Sequence, residues 1–422
     1  MIEPGAARAA AEAALASGDA GAAFAHLRGS VTHPARLAAA DVVPTVGLLA
    51  RIFAALDAPE LARAAAHCAD APDDVDGLYD LGYHLIEDGL PGIAAVVLTW
   101  CHALAPGVEH VVTELCAALE ADLAYGAARA VLDGEPALVA GSFLCRYLLA
   151  FNAAMSGDVA AARDQLPALV PGEPDQVAMR ARIAALVARA DALAGVTPLD
   201  GDDLRGWHAV VTGGILLHRS PFGLEHMRGR YALCGDTWSL VAGGLDGLRR
   251  LLTIWDFAPP CVYAPPGRDH QALGLAAAAA LGVPLAPWPE VGAPAPGLVV
   301  VYDLTTVAPA DLERVVERRA EQLLFAHACA WTEDARVAPD VVTLLYQVLI
   351  PPWGGGVPSL PGPVDARPAE ALAADIGAAT VEPEPAEERA AVEALARAIG
   401  RPGPGRRERS WAGGPVLSNR FR

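Results

Sequence analysis

The stretch LVVVYDLTTV, residues 298–307, runs four apolar residues into Tyr302, Asp303, Thr305 and Thr306. A carboxylate followed by hydroxyls at the end of a buried strand reads as a candidate phosphate-binding strand end, where turn amides face an anion. The same residues also suit a purely local role, with the threonines capping a helix that opens at Pro309. A second segment, PPGRDH, offers Gly267 and Arg268: glycine lets the main chain approach a ligand, and arginine supplies positive charge. A third, HRSPFGLEHMRGR (218–230), is a candidate anion-binding loop through Arg219, His226, Arg228 and Arg230, or else a solvated hairpin loop. Other chemistry is excluded. The histidines form no HxH or HExxH pair, no GxSxG nucleophile elbow occurs, and a chain without lysine has no ordinary phosphate-binding P-loop. None of the seven cysteines sits in a CxxC, so neither a metal nor a cofactor is expected.

The elements that must position these residues lie between 207 and 355. Segments 207–218 and 230–244 read as β-rich, the latter as strand, turn and strand. Then come a helix over 246–257, a strand over 260–266, a helix over 267–282 and a continuously apolar strand over 298–304. A helix over 308–322 follows, then a strand over 323–331, then strand or helix over 339–350. Alternation of this kind predicts a mostly parallel sheet covered on both faces. Ligands of such sheets bind at the carboxyl ends of the strands, where the Tyr263–His270 and Tyr302–Thr306 loops open onto one crevice if their strands are neighbours.

In outline this pair of segments resembles the phosphoribosyltransferases. The resemblance implies that Asp303 is the second of two acids holding ribose hydroxyls, that Thr305 and Thr306 form the phosphate turn, and that Gly267 and Arg268 belong to the earlier loop. The chain departs from the family where Tyr302 replaces the first acid and where Val307, Ala308 and Pro309 stand in place of the turn's glycine.

The first half is organised differently. Leu81, Gly82, Leu85, Gly89, Ala94 and Leu98, followed by Pro106, have thirty-four residues later the counterparts Leu115, Cys116, Leu119, Leu123, Ala128 and Leu132, with no second proline. They recur again as Leu149, Ala150, Ala153, Gly157, Ala162, Leu166 and Pro174. A looser copy lies upstream, and a Ser-Gly-Asp turn precedes both 20–27 and 159–166. This order resembles the tetratricopeptide repeat, in which small residues let two antiparallel helices approach and successive pairs stack into a solenoid. The resemblance covers roughly residues 3–195 and implies a concave groove for a peptide or protein partner.

Domain limits follow. They are a tetratricopeptide-like α-solenoid over 1–195, a linker over 196–206, the α/β domain over 207–355, and a Pro/Ala/Glu-rich tail over 356–422. The tail is expected to be largely disordered beyond a single amphipathic helix at 386–400. PPWGGGVPSLPGP (351–363) reads as a linker. The fold class is therefore α plus α/β. A formal charge of −19 excludes a general nucleic-acid binder, no run reads as a membrane span, and unpaired cysteines with an arginine-only basic set point to a bacterial cytoplasmic protein. The expected function is protein–protein interaction or scaffolding, with an α/β domain that recognises a ligand or partner without turnover. The alternatives are an enzyme acting on a phosphorylated or nucleotide-like molecule, and a structural subunit of a bacterial assembly.

Overall fold

A computed structural model describes residues 4–35, 39–222, 227–357 and 360–417. The chain divides into two compact units, Met1–Ile183 and Ala184–Arg422.

The first unit is a succession of paired helices. Helices Val75–Glu87, Glu109–Ala121 and Phe143–Met155 begin thirty-four residues apart, and so do their partners Pro91–Leu104, Tyr125–Asp133 and Val159–Gln165. The repeated apolar positions make the core: Leu81, Leu85, Ala94, Leu98, Leu115, Cys116, Ala128 and Leu132 are all buried. Gly89, Leu123 and Gly157 occupy the same turn position in successive repeats, and all three have positive φ. The turn geometry therefore persists even where the sequence supplies leucine. Asp19 and Asp158 each cap the following helix, accepting from the backbone N of Ala22 and Ala161 at 2.8 and 2.9 Å.

Close approach within a pair depends on Gly82, where an added Cβ would lie 2.5 Å from Leu98 Cγ. A Gly82→Ala chain is expected to lose about 1–3 kcal/mol in urea unfolding followed by far-UV circular dichroism. A gain near the 1 kcal/mol of helix propensity would show instead that the pair can spread.

The second unit is built on a seven-stranded sheet in which every pairing is parallel. Its strands are β1 (Ile215–Leu216), β2 (Tyr231–Gly235), β3 (Val262–Tyr263), β4 (Leu285–Ala286), β5 (Gly297–Asp303), β7 (Gln322–Ala330) and β8 (Val341–Ile350). The order is β1-β8-β7-β5-β3-β4, with β2 beside the later half of β8. β5 and β7 are buried along their whole length, as unbroken apolar strands covered on both faces must be. Helices Trp238–Ile254 and Arg268–Leu281 pack on the sheet, and helices Ala386–Ile399 and Ala369–Ala378 pack on those two in turn.

Several expectations are corrected. Residues 207–212 are helical, in Leu204–Thr212, because Asp203 caps the start, Gly213 ends it at φ 76°, and Leu204, Trp207 and Val211 bury one helical face. The second strand expected in 230–244 is the start of helix Trp238–Ile254, capped by Thr237. The helix expected over 308–322 is only Pro309–Glu313. Beyond it β6 (Glu317–Arg318) pairs with β11 (Gly405–Arg406). The expected linker at 351–363 contains an antiparallel pair, β9 (Gly354–Val357) and β10 (Leu360–Val364).

The tail is also different. Helix Ala386–Ile399 forms as expected and buries Val392 and Leu395. The basic segment after it is a strap as far as Leu417. Arg407, wholly buried, reaches the Asp340 carboxylate at 3.1 Å, and Ser410 bridges Ala335. The Arg407 charge, expected in a disordered tail, is neutralised inside the fold, whereas Arg406 and Arg409 stay exposed. No described helix is long and apolar enough to cross a membrane.

Candidate functional site

The polar residues at the carboxyl ends of the parallel strands form two networks, each centred on a buried carboxylate. The first belongs to Asp303, the last residue of β5. Its Oδ1 accepts from the Thr305 amide at 3.0 Å and the Thr305 hydroxyl at 2.8 Å. Its Oδ2 accepts from the Tyr346 hydroxyl of β8 at 2.6 Å. Thr306 donates back to the Asp303 carbonyl at 2.9 Å. The chain bends here into a 3₁₀ turn, Leu304–Thr306, for which Asp303 is the cap.

The second network belongs to Asp236, directly after β2. Its Oδ1 accepts from the Thr237 amide at 2.8 Å. Its Oδ2 accepts from the Tyr302 hydroxyl at 2.7 Å and lies 2.9 Å from His327 Nε2. Tyr302, His327 and Thr343 stand level across β5, β7 and β8, since Val301 pairs with Ala326 and Ala326 with Val342. Gly244 crosses above them so closely that a Cβ would overlap the Thr343 hydroxyl. His327 Nδ1 and Thr343 Oγ1 are buried there without a hydrogen-bond partner. Tyr302 also packs on Trp353, ring centroids 4.6 Å apart, and Trp353 on Trp238 at 5.6 Å.

Burial and the neighbouring carboxylates push the Tyr302 and Tyr346 phenols far above their ordinary range, so both remain hydrogen-bond donors to their acids. Burial likewise holds His270 below the usual histidine value, leaving a neutral ring whose Nδ1 accepts from the Tyr302 amide at 3.2 Å. Cys234 and Cys329 are pushed up to about 12, chiefly by burial, which makes them inert thiols rather than nucleophiles.

The two loops expected to share a crevice do meet: His270 follows Gly267 and Arg268, and its Nε2 lies 3.4 Å from Thr306 Oγ1. Gly267 sits at φ 128° before helix Arg268–Leu281, and Arg268 donates to the Asp365 carbonyl at 2.6 Å and lies 3.2 Å from the Asp269 carboxylate. The 218–230 candidates separate. Arg219 pairs with Glu388 at 2.5 Å and Arg228 with Asp202 at 2.6 Å, Arg230 donates to the Val416 carbonyl at 3.1 Å, and His226 lies outside the described residues. Asp236, His327, Tyr346 and Trp353 were not singled out from sequence. The available signals were a histidine inside the apolar run LLFAHACAW and an acid directly after a strand in CGDT.

An open groove of about 570 Å³ lies beside these networks, lined by Trp353, Gly354–Gly356 and Pro363–Asp365. Among the described residues no cluster of three histidine, cysteine or acidic side chains is placed to hold a metal ion. No protein-family model matches the chain, and comparisons with curated proteins and with solved structures find no match.

Proposed function

We propose that the protein is an interaction scaffold, a tetratricopeptide-like solenoid joined to an α/β domain that recognises a ligand or partner without turnover. The observation that carries the reading is the saturation of the strand-end acids. All four carboxylate oxygens of Asp303 and Asp236 are already accepting from protein donors. A ribose diol would have to displace the Tyr346 and Thr305 donors to reach Asp303. Buried polar groups engaged in this way hold strand ends together.

The charge of the repeats favours a basic partner. Residues 64–128 carry eleven acidic side chains and no arginine. Complementary charge sets on-rate and orientation in such encounters. The seven cysteines are free and six are buried, which fits a reducing bacterial cytoplasm.

Two titrations of the full chain test this. An arginine-rich peptide is expected to bind saturably and to weaken with salt, whereas an acidic peptide of equal length is not expected to bind. Nucleotides, sugar phosphates and phosphoribosyl diphosphate are expected to leave the melting temperature unchanged. A phosphoribosyl diphosphate shift that disappears in Asp303→Asn would replace this reading with the enzymatic one.

A further inference from the structure

Two neighbouring helices of the repeats carry an aromatic and acidic face that is not buried. Helix Val75–Glu87 contributes Tyr79, Tyr83 and Glu87, and helix Glu109–Ala121 contributes His110 and Glu114. The Tyr79 hydroxyl donates to Glu114 Oε2 at 3.3 Å, and the Tyr79 ring meets His110 edge-on with centroids 5.2 Å apart. Tyr83, one turn further on, is 45% exposed. Burial raises the Glu114 carboxyl above its ordinary value, the Tyr79 hydrogen bond opposes the shift, and the neighbouring Glu87 carboxylate adds to it.

The third repeat offers a comparison within the chain. Two thirty-four-residue steps on, Tyr79 and Tyr83 become Tyr147 and Phe151, which are both buried and stack with centroids 6.0 Å apart. The same step turns Glu114 into Arg182, which donates to the Tyr147 hydroxyl at 2.8 Å. The chain thus supplies its own cation to one aromatic pair and a carboxylate to the other. Other acids of the repeats are matched: Asp74 by His67 at 2.7 Å, Glu135 by His102 at 2.8 Å and Asp158 by Arg129 at 2.9 Å. Among the described residues neither Glu87 nor Glu114 has an ion-pair partner, and residues 64–128 hold no arginine to provide one.

We propose that this face docks an arginine side chain of a basic partner peptide, its guanidinium lying against the Tyr79 and Tyr83 rings and meeting the Glu87 and Glu114 carboxylates. The inference rests on the basic-partner reading above and gives that partner a place and a preferred residue. Charge complementarity selects a cation, because two acids stand together here unmatched. The rings select arginine over lysine: a planar guanidinium stacks on an aromatic face while its edge donates to a carboxylate, and it is more weakly hydrated than an ammonium. A cation in this position relieves both the burial of Glu114 and its repulsion from Glu87.

The test uses the full chain and three labelled alanine-rich peptides of equal length, carrying arginine, lysine or citrulline at the same positions, read by fluorescence anisotropy. The arginine peptide is expected to bind saturably, the lysine peptide severalfold more weakly, and the citrulline peptide not at all. Glu114→Gln, which keeps an acceptor for Tyr79, is expected to weaken arginine-peptide binding about tenfold, and Tyr83→Ser severalfold. Glu60→Gln removes the same charge from an exposed acid of helix Pro59–Asp70 and is expected to leave binding unchanged. Binding that survives both Glu114→Gln and Tyr83→Ser overturns this surface and leaves the basic-partner reading standing. An equal loss in Glu60→Gln reduces the effect to net charge and overturns the surface likewise. No binding of the arginine peptide to the parent chain overturns both. Sedimentation of the chain alone covers the other occupant: self-association abolished by Tyr83→Ser would make the face a contact between copies and overturn the peptide proposal.

Discussion

Replacing Arg407 with alanine is expected to destabilise the second unit by about 3–5 kcal/mol, the usual cost of removing one partner from a buried ion pair. The guanidinium is wholly buried, and so is Asp340, whose Oδ2 it meets at 3.1 Å. Arg407 also donates to the Val315 carbonyl at 2.5 Å. Burial lowers the arginine's proton affinity, and the Asp340 carboxylate opposes that. Asp340 in turn holds Arg318 at 2.5 Å and the Leu324 amide at 2.8 Å. The substitution therefore leaves a cavity, loses the carbonyl contact and puts the whole acid on one guanidinium. Urea unfolding followed by tryptophan fluorescence reports the right unit, because seven of the eight tryptophans lie beyond residue 200. Truncation after Gly400 is expected to cost at least as much. A loss below about 1 kcal/mol, the range of an exposed ion pair, would mean that the strap rests on the fold without supporting it.

The second large effect is a pH dependence in the first unit. Burial raises the Glu120 carboxyl from 4.5 to about 7, while the Asn152 amide, donating to it at 2.6 Å, only partly compensates. The folded state therefore holds a proton that the unfolded state has released. The benefit is full below pH 4.5 and is lost as pH rises through about 7. The difference corresponds to roughly 3 kcal/mol at about 1.36 kcal/mol per pH unit. His208 and His218, both depressed to about 4, act in the opposite sense, their contribution being lost as pH falls below 6.5. They belong to the other unit, so the comparison of parent chain with Glu120→Gln isolates the acid. Glu120→Gln is expected to match the parent near pH 4 and exceed it by about 3 kcal/mol at pH 8 in the helical unfolding transition. An equal gap at both pH values would remove the titration and leave only a packing difference.

Local pattern carried far in this chain. The thirty-four-residue spacing of Leu81, Leu115 and Leu149 placed three pairs of helices, since burial of one helical stripe and a small residue at the crossing are written into consecutive positions. The apolar runs of β5 and β7 were equally legible, and so was Asp303 as the residue where a buried strand ends. Pattern failed where a terminal signal outweighed residue type. The β-branched pair Val210–Val211 suggested a strand, but the Asp203 cap and the Gly213 stop made it a helix.

Sequence by itself determined the helical repeats, the parallel strands and the acid and threonines at a strand end, because each depends on residues within a few positions of one another. Only the tertiary structure decided what those polar residues face. Asp303 is met by Tyr346, forty-three positions away, and Asp236 by Tyr302 and His327, sixty-six and ninety-one away. Arg407, expected from composition in a disordered tail, is buried against Asp340, sixty-seven positions upstream. Whether a charge is solvated, paired or available to a ligand depends on which distant group the fold brings within hydrogen-bond reach, and no short-range spacing encodes that.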